Sequence, residues 1–257
     1  MCRIAAYLGP ETALEDVIVK PVHSLLEQSQ HASEAKLAVN GDGFGIAWYG
    51  ASTAPGLYRD VLPAWSDGNL TSLCRMVRSP LFIGHIRAST MGETSRQNCH
   101  PFTSGAWSFC HNGQVPHFPR IRRQLEAMLP DALYEQRRGT TDSEMVFLTL
   151  LAHGLERDPV AAFARTLEAL GPAGEDGPIR LTTVLSDGVS LYAFRYASDA
   201  RCPTLYASRD WAEGGVVLAS EPLCGDGAKW SEIPPGTLCE VTAQGMNATR
   251  ITAQLAA

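Results

Sequence analysis

A few short stretches of this chain carry side chains able to do chemistry. Met1-Cys2-Arg3-Ile4-Ala5-Ala6-Tyr7-Leu8 puts a cysteine at the tip of an apolar run that reads as a buried strand. With Met1 removed, Cys2 has a free α-amine beside its thiol, a nucleophile and a base in one residue. An α-amine titrates near ~7.7–8, so part of it is neutral near pH 7 and accepts the thiol proton, whereas a lysine near ~10.4 would not. The competing reading is a small, partly buried thiol at a chain end.

Three polar groups stand where such a nucleophile would need them. Arg87 ends the strand-like run Leu81–Arg87. Its guanidinium can clamp a carboxylate with two parallel hydrogen bonds, or make an ordinary surface ion pair. Asn112-Gly113 ends the run Ala106–Gly113, where an amide and the next backbone N–H make either an oxyanion hole or a hairpin turn. Asp142 lies in the first turn of a helix opened by a Thr141/Glu144 capping box. There it accepts a substrate ammonium, or only complements the positive helix end.

Histidines and cysteines at His85, Cys99-His100 and Cys110-His111 raise the possibility of zinc. Adjacent strand residues point to opposite faces, so at most one of Cys110 and His111 serves a given centre. No CxxC or HExxH unit occurs, and no metal is expected. The glycine-rich stretch 41–45 does not fit a GxGxxG phosphate loop.

The 257 residues suffice for one large domain or two small ones, and for a substantial core. Their 45% hydrophobic and 19% charged content fits a globular protein and argues against disorder. The net charge of −6, without a basic run, argues against nucleic acid. No run is long enough for a membrane span, and no secretory layout opens the chain. The 7 cysteines are odd in number and widely spaced, as expected of reduced thiols in the cytoplasm.

Elements able to position the polar groups follow in order. Strands are expected at 2–8 and 44–49, with Pro10 to Lys20 leading away and a short helix at 21–28. Residues 50–68 read as irregular. A helix is expected over Asn69–Arg78, capped by Asp67 or Asn69 and ended by Pro80, then strands at 81–87 and 106–113 separated by a polar loop, 88–105. Helices follow at 121–129, from Thr141, and from Asp158-Pro159 to Leu170. The rest reads as β: 179–185 and 189–196 around the Asp187-Gly188 turn, then 204–208, 216–220, 237–241 and 248–252. Strands, then helices, then strands suggest two sheets with helices outside them.

Together, and in this order, Cys2, Asn40-x-Asp-Gly-Phe-Gly, Gly84-His-Ile-Arg-Ala-Ser-Thr, Asn98-x-His-Pro, His111-Asn-Gly and Thr141-Asp-Ser-Glu resemble the class II glutamine amidotransferase domain of the N-terminal-nucleophile hydrolase superfamily. Ser220-Glu-Pro and Ile233-Pro-Pro-Gly extend the likeness across nearly the whole chain, as one domain over 1–257 without a synthase. Tyr58-Arg59, Asn98-x-His-Pro-Phe and Trp107 are shared with stand-alone members, including the γ-glutamyl hydrolases of ergothioneine biosynthesis. The resemblance implies an α+β fold of four layers, αββα, with two antiparallel sheets flanked by helices.

It implies an enzyme that cleaves a γ-glutamyl amide through a Cys2 thioester, releasing glutamate plus ammonia or an amine. Cys2 is then nucleophile and base, and Asn112 and Gly113 the oxyanion hole. Arg87, with Thr90, holds the substrate α-carboxylate, and Asp142 its α-amine. No cofactor is implied. The expected partners are glutamine, with a separate synthase taking the ammonia, or a γ-glutamyl small molecule such as the γ-glutamyl-hercynylcysteine sulfoxide type. A γ-glutamyl-binding domain without catalysis is the alternative of another class, and retention of Met1 would favour it. Two departures touch the pocket: Val39-Asn40-Gly41 stands where many members have Arg-Gly before the aspartate, and Met91 where synthase-linked members have histidine.

Overall fold

The computed structural model describes residues 2–35, 37–89, 92–199, 201–211, 214–225 and 229–251. The chain begins with β1 (Arg3–Ala13), α1 (Glu15–Ile18) and α2 (Leu25–Gln28), then β2 (Phe44–Trp48) and β3 (Gly56–Asp60). Next come α3 (Gly68–Met76), β4 (Arg78–Ile86), β5 (Phe102–Ser104) and β6 (Trp107–Gln114). The helical stretch holds α4 (Phe118–Met128), α5 (Asp131–Tyr134), α6 (Asp142–Ala152) and α7 (Pro159–Leu170). The chain continues with β7 (Arg180–Ser186), β8 (Leu191–Ala197), β9 (Tyr206–Trp211), β10 (Gly215–Ala219), β11 (Trp230–Glu232), β12 (Thr237–Thr242) and β13 (Gly245–Arg250).

All pairings are antiparallel. One sheet has the order β11-β9-β10-β1-β4-β2-β3, the other β13-β12-β8-β7-β6-β5. Ile4 and Ala6 of β1 meet Cys110, Val184 and Ala193 in the apolar layer between the sheets. Ala5 and Tyr7 face the other way, onto Val17, Ile18 and Leu25 of α1 and α2 and Leu70 of α3. Phe109 and Leu181 pack under α4, α6 and α7 through Leu125, Phe147 and Phe163. Helices, sheet, sheet and helices thus form the expected four layers. Burial on both faces explains why β1 reads as a continuous apolar run without alternation.

Several boundaries differ from expectation, each for a local reason. β1 continues through Pro10 to Ala13, and its register against β4 shifts between Leu8 and Thr12. Pro80 does not end a helix; it lies inside β4 opposite that irregularity, where a missing N–H is tolerated. The helix expected at 21–28 is only Leu25–Gln28. The stretch 50–68 contains β3, an edge strand whose Gly-Leu-Tyr-Arg-Asp sequence has no apolar run, and the expected loop 88–105 contains β5. Asp67 does cap α3, accepting from Asn69 and Leu70 N–H, and Asp158 caps α7 through Ala161 N–H.

Asn112-Gly113 forms no turn. β6 runs through it, pairing Asn112 with Thr182 and Gly113 with Leu181. A hairpin turn needs a partner strand next in the chain, and α4 follows instead. At α6 the capping box is only half made. Thr141 Oγ1 accepts from Glu144 N–H at 3.2 Å, but the Glu144 carboxylate accepts from Arg138 and Gly139 N–H.

Candidate active site

Cys2 lies at the start of β1, between β10 and β4 in the middle of its sheet. Arg3 pairs with Ile86, which brings Cys2 beside the end of β4. The thiol sits on the Ala88 backbone, with the Ala88 N–H at 3.4 Å and the Ala88 carbonyl at 3.6 Å. Burial pushes the Cys2 thiol up, and the Ala88 N–H only partly opposes this. The sulfur therefore stays protonated at neutral pH until a base takes its proton.

The neighbouring histidines are poor candidates for that base. Burial drives His85 down to about 3, His100 well below the usual imidazole range, and His111 down as well. All three are neutral and weakly basic. His85 and His100 stack with centroids 4.1 Å apart. His85 Nε2 donates to the His111 carbonyl at 3.1 Å. His111 Nε2 donates to the Arg180 carbonyl at 3.1 Å, which leaves Nδ1 to accept from the Ser143 hydroxyl at 2.8 Å. These rings shape and dry the site. A free α-amine on Cys2 would titrate near ~7.7–8, a range that suits a base.

A buried ion pair anchors the Cys2 backbone. Arg3 Nε donates to the Cys2 carbonyl at 2.7 Å, and Arg3 Nη1 meets Glu221 at 2.6 Å. Glu221 also accepts from His23 Nε2 at 2.6 Å and from Ser33 and Glu34 N–H, both at 2.9 Å.

Arg87 is no surface arginine. It is 3% exposed and held by the glycine-rich loop after Asn40. Its backbone exchanges hydrogen bonds with that loop: Asp42 N–H to the Arg87 carbonyl at 3.0 Å, Arg87 N–H to the Gly43 carbonyl at 2.8 Å. The guanidinium donates to the Asp42 carbonyl at 3.4 Å and to Ser89 Oγ at 3.1 Å. Gly43 has φ 113°, and a Cβ there would come within 2.6 Å of Cys99 Sγ, so the loop needs glycine. Thr90 and Met91 lie outside the described residues.

On the second sheet, β5 pairs with β6 only up to Phe109, so the edge of β6 is free beyond it. The His111 carbonyl on that edge is taken by His85, and the Val115 N–H by Asp142 Oδ2 at 2.8 Å. Strand alternation puts the Gly113 N–H on the same edge. Asn112 shares the inward face with Cys110, and Cys2 shares the opposing inward face with Ile4. The Asn112 amide is wholly buried, and neither its oxygen nor its nitrogen has a hydrogen-bond partner. Buried polar atoms are nearly always paired, so an orphaned buried amide is a donor and acceptor open to a polar ligand.

A cavity of about 20 Å³ joins these parts: Cys2, Arg87, Gly113 and Asp142 all line it, with His100 and Ser143. Asn112, next to Gly113 in β6, is not among the residues that line it. Thus Cys2, Arg87, Gly113 and Asp142, far apart in sequence, come together on one rim. Their arrangement presents a thiol, a guanidinium, a carboxylate and backbone N–H groups to one small polar molecule.

No three metal-ligating side chains converge among the described residues. Cys110 packs between the sheets while His111 bonds Ser143 on the helical side. Residue-by-residue reading did not find the Ala88 backbone, Arg3, Glu221, Ser89 or Ser143. Backbone contacts leave no trace in residue type, but Glu221 stands in the Ser-Glu-Pro stretch noted for its resemblance, and that signal pointed at it.

The profile of the family described as glutamine amidotransferases class-II matches residues 16–209. The γ-glutamyl-hercynylcysteine sulfoxide hydrolase of Mycobacterium tuberculosis is 30% identical, over 98% of this chain and 97% of that protein. The probable glutamine amidotransferase DUG3 of Saccharomyces cerevisiae is 29% identical, over 95% of this chain and 82% of that one. A solved class-II domain protein from Silicibacter pomeroyi, described as a glutamine aminotransferase, superposes with TM-score 0.75 at 39% identity, over 98% of this chain and 100% of that chain. The chain is an enzyme of the class II glutamine amidotransferase family.

Proposed function

We propose that the chain, as a single domain, cleaves γ-glutamyl amides with Cys2 as nucleophile. The observation that carries this is the meeting of Cys2, Arg87, Gly113 and Asp142 around one cavity. Arg87 holds the substrate α-carboxylate, with Thr90 assigned the same role by resemblance, and Asp142 holds the α-ammonium. The free α-amine of Cys2 takes the Sγ proton, and sulfur attacks the γ-carbonyl carbon. The oxyanion takes hydrogen bonds from Asn112 Nδ2 and Gly113 N–H, an arrangement worth about 3–4 kcal/mol of barrier per donor. Collapse breaks the C–N bond, and the leaving amine takes the proton back from the α-ammonium. Water then hydrolyses the γ-glutamyl thioester to glutamate and restores the thiol. No step needs a cofactor.

The substrate is glutamine, feeding ammonia to a separate synthase, or a γ-glutamyl conjugate. Near-complete coverage of the mycobacterial hydrolase supports the second. A reducing, cytoplasmic setting fits 7 cysteines that are all free, and no helix among the described residues is long and apolar enough to cross a membrane.

Two measurements test the reading. Mass spectrometry of the N-terminus in protein from its own cells should show Cys2 first; uniform retention of Met1 leaves no amine to act and would sink the mechanism. Cys2→Ala should abolish hydrolysis of glutamine and of γ-glutamyl conjugates alike while unfolding at nearly the same urea concentration, since the thiol's hydrogen bonds are two long contacts with the Ala88 backbone.

A further inference from the structure

A second cavity, about 270 Å³, opens where β3, β5 and the start of α6 meet, and Arg59, Gln97, Arg138 and Glu144 supply its polar wall. It shares no lining residue with the Cys2 cavity. The two are neighbours all the same. His100 lines one while Gln97 and Phe102 line the other, and Ser143 lines one while Glu144 lines the other. Asn98 ties these segments together: its amide donates to Thr140 Oγ1 at 3.1 Å and accepts from Thr140 N–H at 2.8 Å.

Arg59 comes from the Tyr58-Arg59 pair, for which the Cys2 site has no use. Its Nη1 donates to the Cys99 carbonyl at 3.0 Å and to the Pro101 carbonyl at 3.5 Å. Among the described residues, its Nε and Nη2 have no hydrogen-bond partner, and neither Arg59 nor Arg138 has an acidic one. Burial works against the Arg59 charge, and Glu144 supports that charge only from a distance. The Glu144 carboxylate instead accepts from Arg138 and Gly139 N–H, at 2.8 and 2.7 Å. Arg96, next to Gln97, pairs with Asp60 at 2.7 Å and adds no free charge. Two guanidiniums against one carboxylate leave the cavity one positive charge. A partly buried guanidinium without a counter-ion is costly, and a carboxylate fits its planar fork. A dianion would also meet the charge of Glu144. The buried rings of Phe102 and Phe147 complete the lining and suit an apolar tail.

We propose that this cavity is a binding site for a monocarboxylate with a short apolar tail, separate from the site of cleavage. The inference does not depend on the γ-glutamyl reading.

Urea unfolding of the whole protein at neutral pH tests it, with butyrate as the probe and chloride of equal ionic strength as the reference. Butyrate should raise the unfolding midpoint at unchanged slope, because a ligand of the folded state alone adds RT ln(1 + [L]/Kd). Butyramide, which has the same chain without the charge, and inorganic phosphate should each raise it less. Arg138→Ala should need about tenfold more butyrate for the same rise, the scale of one charge-assisted hydrogen bond, and Arg59→Gln should behave likewise. Arg138 is exposed, so its loss leaves the fold intact. Each variant is referred to its own midpoint in chloride, which removes any loss of stability caused by the substitution itself. No rise above chloride, or a rise equalled by butyramide or by phosphate, overturns the inference. A rise that either variant keeps at wild-type butyrate concentrations places the carboxylate elsewhere and overturns it too.

Discussion

Replacing Glu221 by glutamine should be among the most damaging single changes to this protein, although the side chain keeps its shape. Arg3 and Glu221 are 0% and 2% exposed, so no solvent takes over when the charge is lost. Two carboxylate oxygens serve donors from Arg3, His23, Ser33 and Glu34. Glutamine offers one oxygen and sets its NH2 against the remaining donors. Removing one partner of a buried pair typically costs about 3–5 kcal/mol, a large share of an ordinary stability of about 5–15 kcal/mol. Urea unfolding should show this as a lower midpoint at unchanged slope.

The pH dependence has a definite sign. Burial works against the Glu221 charge, but the hydrogen bonds from His23, Glu34 and Ser33 and the Arg3 charge win and hold the carboxyl below its usual range. Its contribution is present above the unfolded value near ~4.3 and is lost as pH falls through the lower folded value. Wild type and variant should therefore converge in acid. Because Arg3 also holds the Cys2 carbonyl, kcat should fall while the variant is still folded. A stability loss under ~1 kcal/mol, the scale of an exposed pair, would refute the reasoning.

Further outcomes are expected elsewhere in the site. Asn112→Ala should lower kcat about 10²–10³-fold with little change in unfolding midpoint, since the amide has no partner to lose; an unchanged kcat would remove it from the reaction. Arg87→Lys should mainly raise KM, because a point charge cannot replace a planar fork, and an unaltered KM would show that the carboxylate is held elsewhere. His85 is held at about 3 by burial, so stability should fall as pH drops from ~6.5 towards that value. His85→Asn, which keeps a donor for the His111 carbonyl, should show a shallower acid loss, and equal slopes in urea titrations across that range would contradict the assignment.

The sequence showed the site more clearly than the fold around it. Cys2, Arg87, Gly113 and Asp142, which line one cavity, were legible as candidates because few residue types do such chemistry and their order resembles a family. Asp67 and Asp158 were legible as caps because capping is local. β3 and β5 were not, being short strands at sheet edges whose pairing is decided by distant neighbours. Asn112-Gly113 left a hairpin turn open as a reading because the dipeptide has the same local preference wherever it stands. Only the missing partner strand shows that it lies within β6. Glu221 was legible only as part of a motif, since its role depends on four donors from separate segments.

The central place of β1 also orders events in time. Ala5 pairs with Gly84 on one side and with Ala219 on the other, so the strand made first waits for one made late in synthesis. Contacts this remote in sequence form slowly. Throughout that interval the edge of β1 that β10 will cover stays unpaired, from Ala5 to Leu8. On the proposed mechanism, Cys2 is therefore made long before Asn112, Gly113 and Asp142 can join it, and a nascent chain carries the thiol without the activity.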